Sequence, residues 1–217
     1  LTTTLGLIHT SATLVPVFAE LCAKHLPGVE TFNIVDDSLI KNTIAAGRLT
    51  PGTARRVAGH IASAEAAGAS RILVTCSSIG PAVEAAEPLT GVPVLRVDRP
   101  MADRAVTLGP RVGVLATLST TLEPTADLVR RRAHAAGAEI ALTAQVCEGA
   151  FEALMSGDAA THDARVAEAL AELGGQVDVI VLAQASMARV AGTVSLPVPV
   201  LASPPLAMEH LAKELHA

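Results

Sequence analysis

Three short segments of this chain occur twice, in the same order and at nearly constant spacing. That duplication limits the folds open to the chain more than any other feature. "GLIHTSATL" at 6–14 matches "GVLATLSTTL" at 113–122, with Gly6 over Gly113 and Thr10 over Thr117. "ILVTCSSI" at 72–79 matches "IVLAQASM" at 180–187, with Cys76 over Gln184 and Ser78 over Ser186. "VPVL" at 92–95 returns at 198–201. The offsets are 107, 108 and 106 residues. Three ordered matches point to two similar halves, each too long for a single supersecondary unit.

Within each half, strand-like and helix-like segments alternate. "TLGLIH", "ETFNIVDD", "RILVTC" and "VPVLRV" read as strands of the first half. "RVGVLAT", "EIALTAQV", "VDVIVLAQ" and "VPVLAS" are their counterparts in the second. Between them, "ATLVPVFAELCAKHL", "TARRVAGHIASAEAAG", "PAVEAAEPL", "LEPTADLVRRRAHAAG" and "THDARVAEALAELGG" have helical spacing, and "PLAMEHLAKELH" closes the chain. Apolar, β-branched strands alternating with helices predict parallel sheets covered on both faces. The expected fold is α/β with two pseudo-symmetric lobes, each a mainly parallel sheet flanked by helices, and a cleft between them. Lobe 1 takes residues 1–97 and lobe 2 residues 98–203, with the helix at 204–217 packing back on lobe 1. Ligands of open α/β sheets sit beyond the carboxyl ends of the strands.

Four strand ends carry small polar residues: His9-Thr10-Ser11, Cys76-Ser77-Ser78, Thr117 with Ser119, Thr120 and Thr121, and Gln184-Ala185-Ser186. Hydroxyls and helix N-termini there would suit a small carboxylate. Ser and Thr are equally the usual helix N-caps, so capping is the competing reading. Neither G-x-G-x-x-G nor G-x-x-x-x-G-K-[ST] occurs, so nucleotide phosphates lack their usual cradle. No C-x-x-C or H-E-x-x-H spacing offers a zinc site. There is no Trp or Tyr and only three Phe, which removes the stacking platforms of single-strand nucleic-acid binders. The net charge is -5, and Arg130-Arg131-Arg132 reads as a solvated helix face. No apolar run reaches the roughly 18 residues of a membrane span. The N-terminal "LTTTLGLIHTS" lacks the basic and apolar regions of a signal peptide. An odd set of three distant cysteines fits a reducing cytoplasm.

Cys22 lies within an amphipathic helix and reads as packing. Cys147 follows a strand beside Glu148 and Gly149, and it too reads as structural. Cys76 differs because it ends a strand and starts a helix, where backbone N–H groups favour a thiolate. Packing residue and acid–base remain equal alternatives for it on position alone. Two further segments could flank a site. "VDDS" (Asp36 to Ser38) is either a solvated turn or a wall of the cleft. "SGDAATHD" (156–163) is either a helix start capped by Thr161 or Asp163, or a cover over the cleft.

The two-lobed layout, the "VTCSS" strand end and the "LATLSTT" segment resemble the aspartate/glutamate racemase superfamily. That group includes hydantoin racemase, maleate isomerase and arylmalonate decarboxylase. The resemblance covers nearly the whole chain. It implies a cofactor-independent enzyme with its active site between the lobes, no metal, and a tendency to form homo-oligomers. It also implies two cysteines, one per lobe, that remove and return an α-proton from opposite faces. The first-lobe cysteine corresponds to Cys76, but Gln184 stands at the second. An amide is no general base near neutral pH. His9 is the candidate replacement, with an ordinary pKa suited to proton transfer. Arylmalonate decarboxylase uses one cysteine, in the second lobe, whereas this chain keeps the first-lobe one.

The resulting expectation is an isomerase of racemase type acting on a small carboxylic acid. Cys76 and His9 are its candidate catalytic residues. Thr10, Ser11, Ser77, Ser78, Thr117, Thr120, Thr121, Gln184, Ala185 and Ser186 are the candidate substrate-binding residues. The alternatives are a single-cysteine lyase or decarboxylase, and a carboxylate-binding relative without catalysis.

Overall fold

The computed structural model describes residues 3–215. They form eight strands and ten α-helices, which divide into two compact units. Unit 1 holds the chain up to Val97 and from Pro204 onward, and unit 2 holds Asp98–Ser203.

Unit 1 contains a four-stranded sheet of order β2-β1-β3-β4, made of β1 (Thr4–His9), β2 (Glu30–Val35), β3 (Arg71–Val74) and β4 (Val94–Arg96). Unit 2 repeats the order as β6-β5-β7-β8, with β5 (Arg111–Ala116), β6 (Ala141–Val146), β7 (Val179–Leu182) and β8 (Val200–Ala202). Every pairing is parallel. The registers match as well: Gly6 pairs with Ile72 in unit 1 and Gly113 with Ile180 in unit 2. All four residues of β7, and three of four in β3, are buried, as expected where helices cover both faces. The outer strands β2 and β6 carry exposed residues, because each has a neighbour on one side only.

Helices α3 (Pro51–Ala66) and α8 (Ala159–Gly174) occupy matching places and start alike. Thr50 accepts a hydrogen bond from the Thr53 N–H and Pro51 opens α3; Asp158 accepts one from the Thr161 N–H at the start of α8. Each fills the N-cap role of a short polar side chain. The expected cap at Thr161 or Asp163 is therefore corrected: Asp158 does it, and α8 begins two residues earlier than the pattern suggested. Their buried stripes also correspond, with Val57, Ile61 and Ala64 of α3 against Val166, Leu170 and Leu173 of α8.

Four helices escaped the hydrophobic pattern: α2 (Ser38–Ala46), α5 (Arg99–Ala105), α7 (Ala150–Met155) and α9 (Ala188–Ala191). All are nine residues or fewer, too short to establish a period. Helix α6 (Ser119–Ala135) starts three residues before the expected "LEP", so Pro124 lies inside it rather than at its entry. Thr120 and Thr121 thus belong to its first turn. Arg130 and Arg131 lie on its exposed face, where Arg131 pairs with Asp127 one turn earlier. Helices α1 (Leu14–His25) and α10 (Ser203–Leu215) share one core cluster: Phe18 and Cys22 from α1, and Ala207, Met208 and Leu211 from α10, pack with Leu5, Leu7 and Leu73.

Gly6 and Gly113 occupy the same place in the two central strands because neighbours come too near for a side chain: Ala69, and Phe32 of β2, at Gly6, and Leu173 of α8 at Gly113. A Cβ on Gly6 would lie 3.1 Å from Ala69 Cβ and Phe32 Cζ, and one on Gly113 would lie 2.8 Å from Leu173 Cδ2. Overpacking of this kind costs about 1–3 kcal/mol. Gly6→Val and Gly113→Val are each expected to lose about that much in urea denaturation. Wild-type midpoints for both would refute the close-packing argument.

Candidate functional site

Cys76 follows β3 and caps a single 3-10 turn, Ser77–Ile79, which leads into α4 (Gly80–Ala86). The expected helix start at Ser77 is thus a tighter turn first. The Cys76 side chain makes no regular cap bond to this turn, but the Thr10 and Ser78 side chains and the backbone N–H groups of Ser78 and Ile79 lie near enough to its sulfur to favour the thiolate. Thr10, Ser77 and Ser78 are all buried. Cys76 keeps a little accessible surface, yet protein atoms crowd its sulfur. Burial pushes the thiol pKa up, and the converging hydrogen bonds pull the other way without overcoming it. The expectation of a thiolate favoured at a helix start is therefore half realised. The donors are present, and the resting group is the thiol.

His9 is fully buried at the end of β1. Its Nδ1 lies 2.8 Å from Thr75 Oγ1 and its Nε2 lies 2.9 Å from Asn33 Oδ1. In a neutral imidazole Nε2–H donates to Asn33, and the single proton of the Thr75 hydroxyl is shared between Nδ1 and the Ile8 carbonyl, 3.1 Å from Thr75 Oγ1. Burial lowers the His9 pKa, in keeping with that neutral form. Its ring also packs on Phe18, with centroids 5.6 Å apart. Ser11 bonds Thr13 Oγ1 at 2.8 Å rather than reaching toward Cys76.

Unit 2 repeats the construction with different chemistry. Gln184 caps the 3-10 turn Ala185–Met187, as Cys76 caps its own. The Gln184 amide grips Thr117 at two points. Its Oε1 accepts from the Thr117 N–H at 2.5 Å, and its Nε2 donates to Thr117 Oγ1 at 2.7 Å. Thr10 with Cys76 and Thr117 with Gln184 are therefore the same contact between the same two strand ends. Gln184, Ala185 and Ser186 are half-buried, and Thr117 and Thr121 are buried. The hydroxyl oxygen of Thr120 is enclosed without a hydrogen-bond partner.

Helices α1, α4, α6 and α9 all start without a side-chain cap, although Ser11 Oγ accepts from the Thr13 N–H at 3.4 Å just ahead of α1. Among the described residues, no group of three or more His, Cys, Asp or Glu side chains is placed to hold a metal ion.

Cys22 and Cys147 are buried, and burial raises both thiol pKa values. Asp36 follows β2, where its N–H donates to the His9 carbonyl at 2.9 Å. One carboxylate oxygen accepts from Ser38 Oγ at 2.6 Å; the other pairs with Arg56 and, at 2.7 Å, with His60 Nε2, both on α3. "VDDS" is thus a braced helix entry. In unit 2, buried His162 bonds Asp163 at 2.7 Å through Nδ1, Arg189 pairs with Asp163 at 2.6 Å, and His162 Nε2 has no partner. Asn33, Thr75, Arg56, His60, Arg189 and Arg96 went unnoticed in the sequence. Each acts across strands or helices far apart in the chain, where local spacing carries no signal.

Two parallel four-stranded sheets of one order, flanked by helices, define the two-lobed α/β architecture of the racemases. The model of the Asp/Glu/hydantoin racemase family matches residues 5–211, and the chain belongs to that family. No curated protein matches it by sequence. Among solved structures, a candidate Asp/Glu racemase from Yersinia pestis is 21% identical, with a TM-score of 0.78 over 100% of both chains. A glutamate racemase from Bacillus anthracis is 16% identical, with a TM-score of 0.74 over 99% of this chain and 82% of the other. An allantoin racemase from Klebsiella pneumoniae is 15% identical, with a TM-score of 0.72 over 99% and 88%. At such identities the likeness speaks to the fold. No helix among the described residues is long and apolar enough to cross a membrane.

The bracing of Asp36 gives a pH signature. Its donors and the Arg56 and His60 charges overcome desolvation and lower its pKa to about 2. A depressed carboxylate adds stability above its unfolded value near 4, and that contribution disappears as pH falls toward 2. Arg56 is substantially exposed, so solvent screening leaves about 1 kcal/mol of this. Asp36→Asn should therefore be about 1 kcal/mol less stable than wild type at pH 7. The gap should close between pH 4 and 2 in urea titrations, and a gap independent of pH would contradict the bracing.

Proposed function

We propose that this protein is a cofactor-independent isomerase of racemase type acting on a small carboxylic acid, with Cys76 as its acid–base group. The observation that carries the reading is the convergence of four donors on the Cys76 sulfur. A buried cysteine that only fills space has no need of them. Two hydroxyls and two N–H groups are what a transient thiolate requires once burial has removed its water.

In this reading the thiolate takes the proton from the carbon next to the substrate carboxylate. The C–H electron pair moves into an enediolate, the planar intermediate turns its other face to the sulfur, and the new S–H returns a proton to that carbon with inversion. Hydroxyls at the same strand end, Ser77 among them, stabilise the enediolate oxygens. His9 acts by position: with both ring nitrogens engaged, it holds the ends of β1 and β3 through Thr75 and leaves proton transfer to Cys76. The three free thiols suit a reducing cytoplasm.

Gln184 favours a second reading. Its amide is committed to Thr117 and supplies no second base. A single resting thiol is also well suited to donate one proton to a carbanion left by loss of carbon dioxide or another fragment. A lyase of this kind needs no acceptor on the opposite face.

Incubation with a panel of small carboxylic acids in D2O separates the readings. α-Deuterium with inversion marks the isomerase, and fragment or carbon dioxide release without epimerisation marks the lyase. Cys76→Ala should slow either reaction by about 10²–10⁴-fold. Because burial raises the thiol pKa, exchange by the isomerase should climb with pH between 7 and 9 as the thiolate fraction grows. Full turnover by Cys76→Ala would end both readings.

A further inference from the structure

Arg96 closes β4 and is almost wholly buried, at 2% exposure, in a position no reactive group requires. It stands beside Val74 in the sheet register, two residues before Cys76. Its guanidinium lies against the backbone of Gly80, where a Cβ would come within 2.4 Å of Cζ and Nη2. Nη1 reaches Glu84 Oε1 at 3.1 Å, one turn further along α4. The guanidinium therefore spans the first turn of α4, directly behind the Ser77–Ile79 turn. The Gly80 N–H in turn bonds the Ser77 carbonyl, so Gly80 and the donor-bearing turn move together.

The duplication supplies an internal control. The counterpart of Arg96 is Ala202, which pairs with Leu182 as Arg96 pairs with Val74. The counterpart of Gly80 is Ala188, at the start of α9. The unit that keeps a thiol at its strand end has the Arg–Gly pair, and the unit with Gln184 has Ala–Ala. Burying a guanidinium carries a large desolvation cost, and an apolar residue of similar volume is often as stabilising. A buried guanidinium confined to the half with Cys76 calls for a purpose beyond stability.

We propose that Arg96 is a positioning residue for Cys76, holding the turn at 77–80 so that the Ser78 and Ile79 N–H groups aim at the sulfur. The proposal rests on Cys76 being the reactive group. Its flat guanidinium fits where only a glycine leaves room, so neither a point charge nor an aliphatic chain substitutes for it. Loosening the turn would turn donors away from the sulfur and make the thiol less acidic.

The test needs no substrate, so its failure is distinct from failure of the exchange assay. Alkylation of Cys76 by iodoacetamide is followed across pH by mass spectrometry of the Cys76 peptide. Arg96→Met and Arg96→Lys should both shift the alkylation profile upward by about one pH unit, about tenfold slower at pH 8. Gly80→Ala, which displaces the guanidinium, should do the same and provides the readout if Arg96→Met does not fold. Leu26→Ala, a cavity at the end of α1 in a core cluster that includes neither Ile79 nor Cys76, should lower stability and leave the profile in place. A wild-type profile for Arg96→Lys, or an equal shift in Leu26→Ala, would overturn the positioning role.

Discussion

A single contact, made once in each half, organises what this protein can do chemically. A threonine at the end of the first central strand reaches across to the residue that ends the third. In unit 1 Thr10 meets Cys76, and in unit 2 Thr117 meets Gln184. Parallel strands finish in step, so their last residues lie side by side, with backbone groups that the sheet no longer satisfies. The threonine settles both matters. It ties the neighbouring strand end, and it fixes the direction in which the following side chain points. The rest of each unit supports that contact. The glycine in the central strand leaves room for close-packed neighbours, helices cover the sheet, and the 3-10 turn after the contact carries the donors.

Most of this scaffold is legible in the sequence, for a physical reason. Parallel strands covered on both faces must be nearly continuous runs of apolar residues, so "RILV" and "VIVL" declare themselves. The paired glycines and the repeated "VPVL" show that two halves use one plan. The candidate residues at the strand ends were legible too, because strand-to-helix transitions are visible as a change of residue type. What stayed hidden was partnership. Nothing near His9 says that Thr75 and Asn33 engage its ring, since both lie on other strands. The Gln184 grip on Thr117 spans 67 residues and depends on the two strands being neighbours. Arg96 reads as one more charge at a strand end until Gly80 is seen beneath its guanidinium. The short helices were missed because fewer than three turns do not set a period.

At Cys76 two opposing effects act on one thiol. Desolvation alone would leave a buried thiol inert, and hydrogen bonds alone would make a standing thiolate exposed to oxidation. With both present, the thiol is the resting form, and its charged form has donors waiting. A base kept protonated until substrate arrives suits a reaction in which the proton must be taken and given back by one group. It suits equally an acid that gives a proton once. Cys22 and Cys147 lack this balance: burial raises their pKa values with no comparable set of donors.

The two halves therefore differ less in architecture than in what is mounted on it. Unit 1 has a thiol, a buried guanidinium behind its turn, and a histidine locked at the neighbouring strand end. Unit 2 has an amide, two alanines in place of the Arg–Gly pair, and Ala116 where His9 stands in the register. Substitution at one position would read as the loss of a base. Coordinated substitution at the strand end, behind the turn and beside it reads as division of labour. The unit 1 strand end carries a group that can exchange a proton, and the matching unit 2 strand end carries an amide that can only hydrogen-bond. A reaction served by Cys76 alone needs just one group that exchanges a proton. Loss of a fragment followed by protonation meets the requirement as it stands. A racemisation meets it only if the substrate presents both faces of its α-carbon to the same thiol in turn.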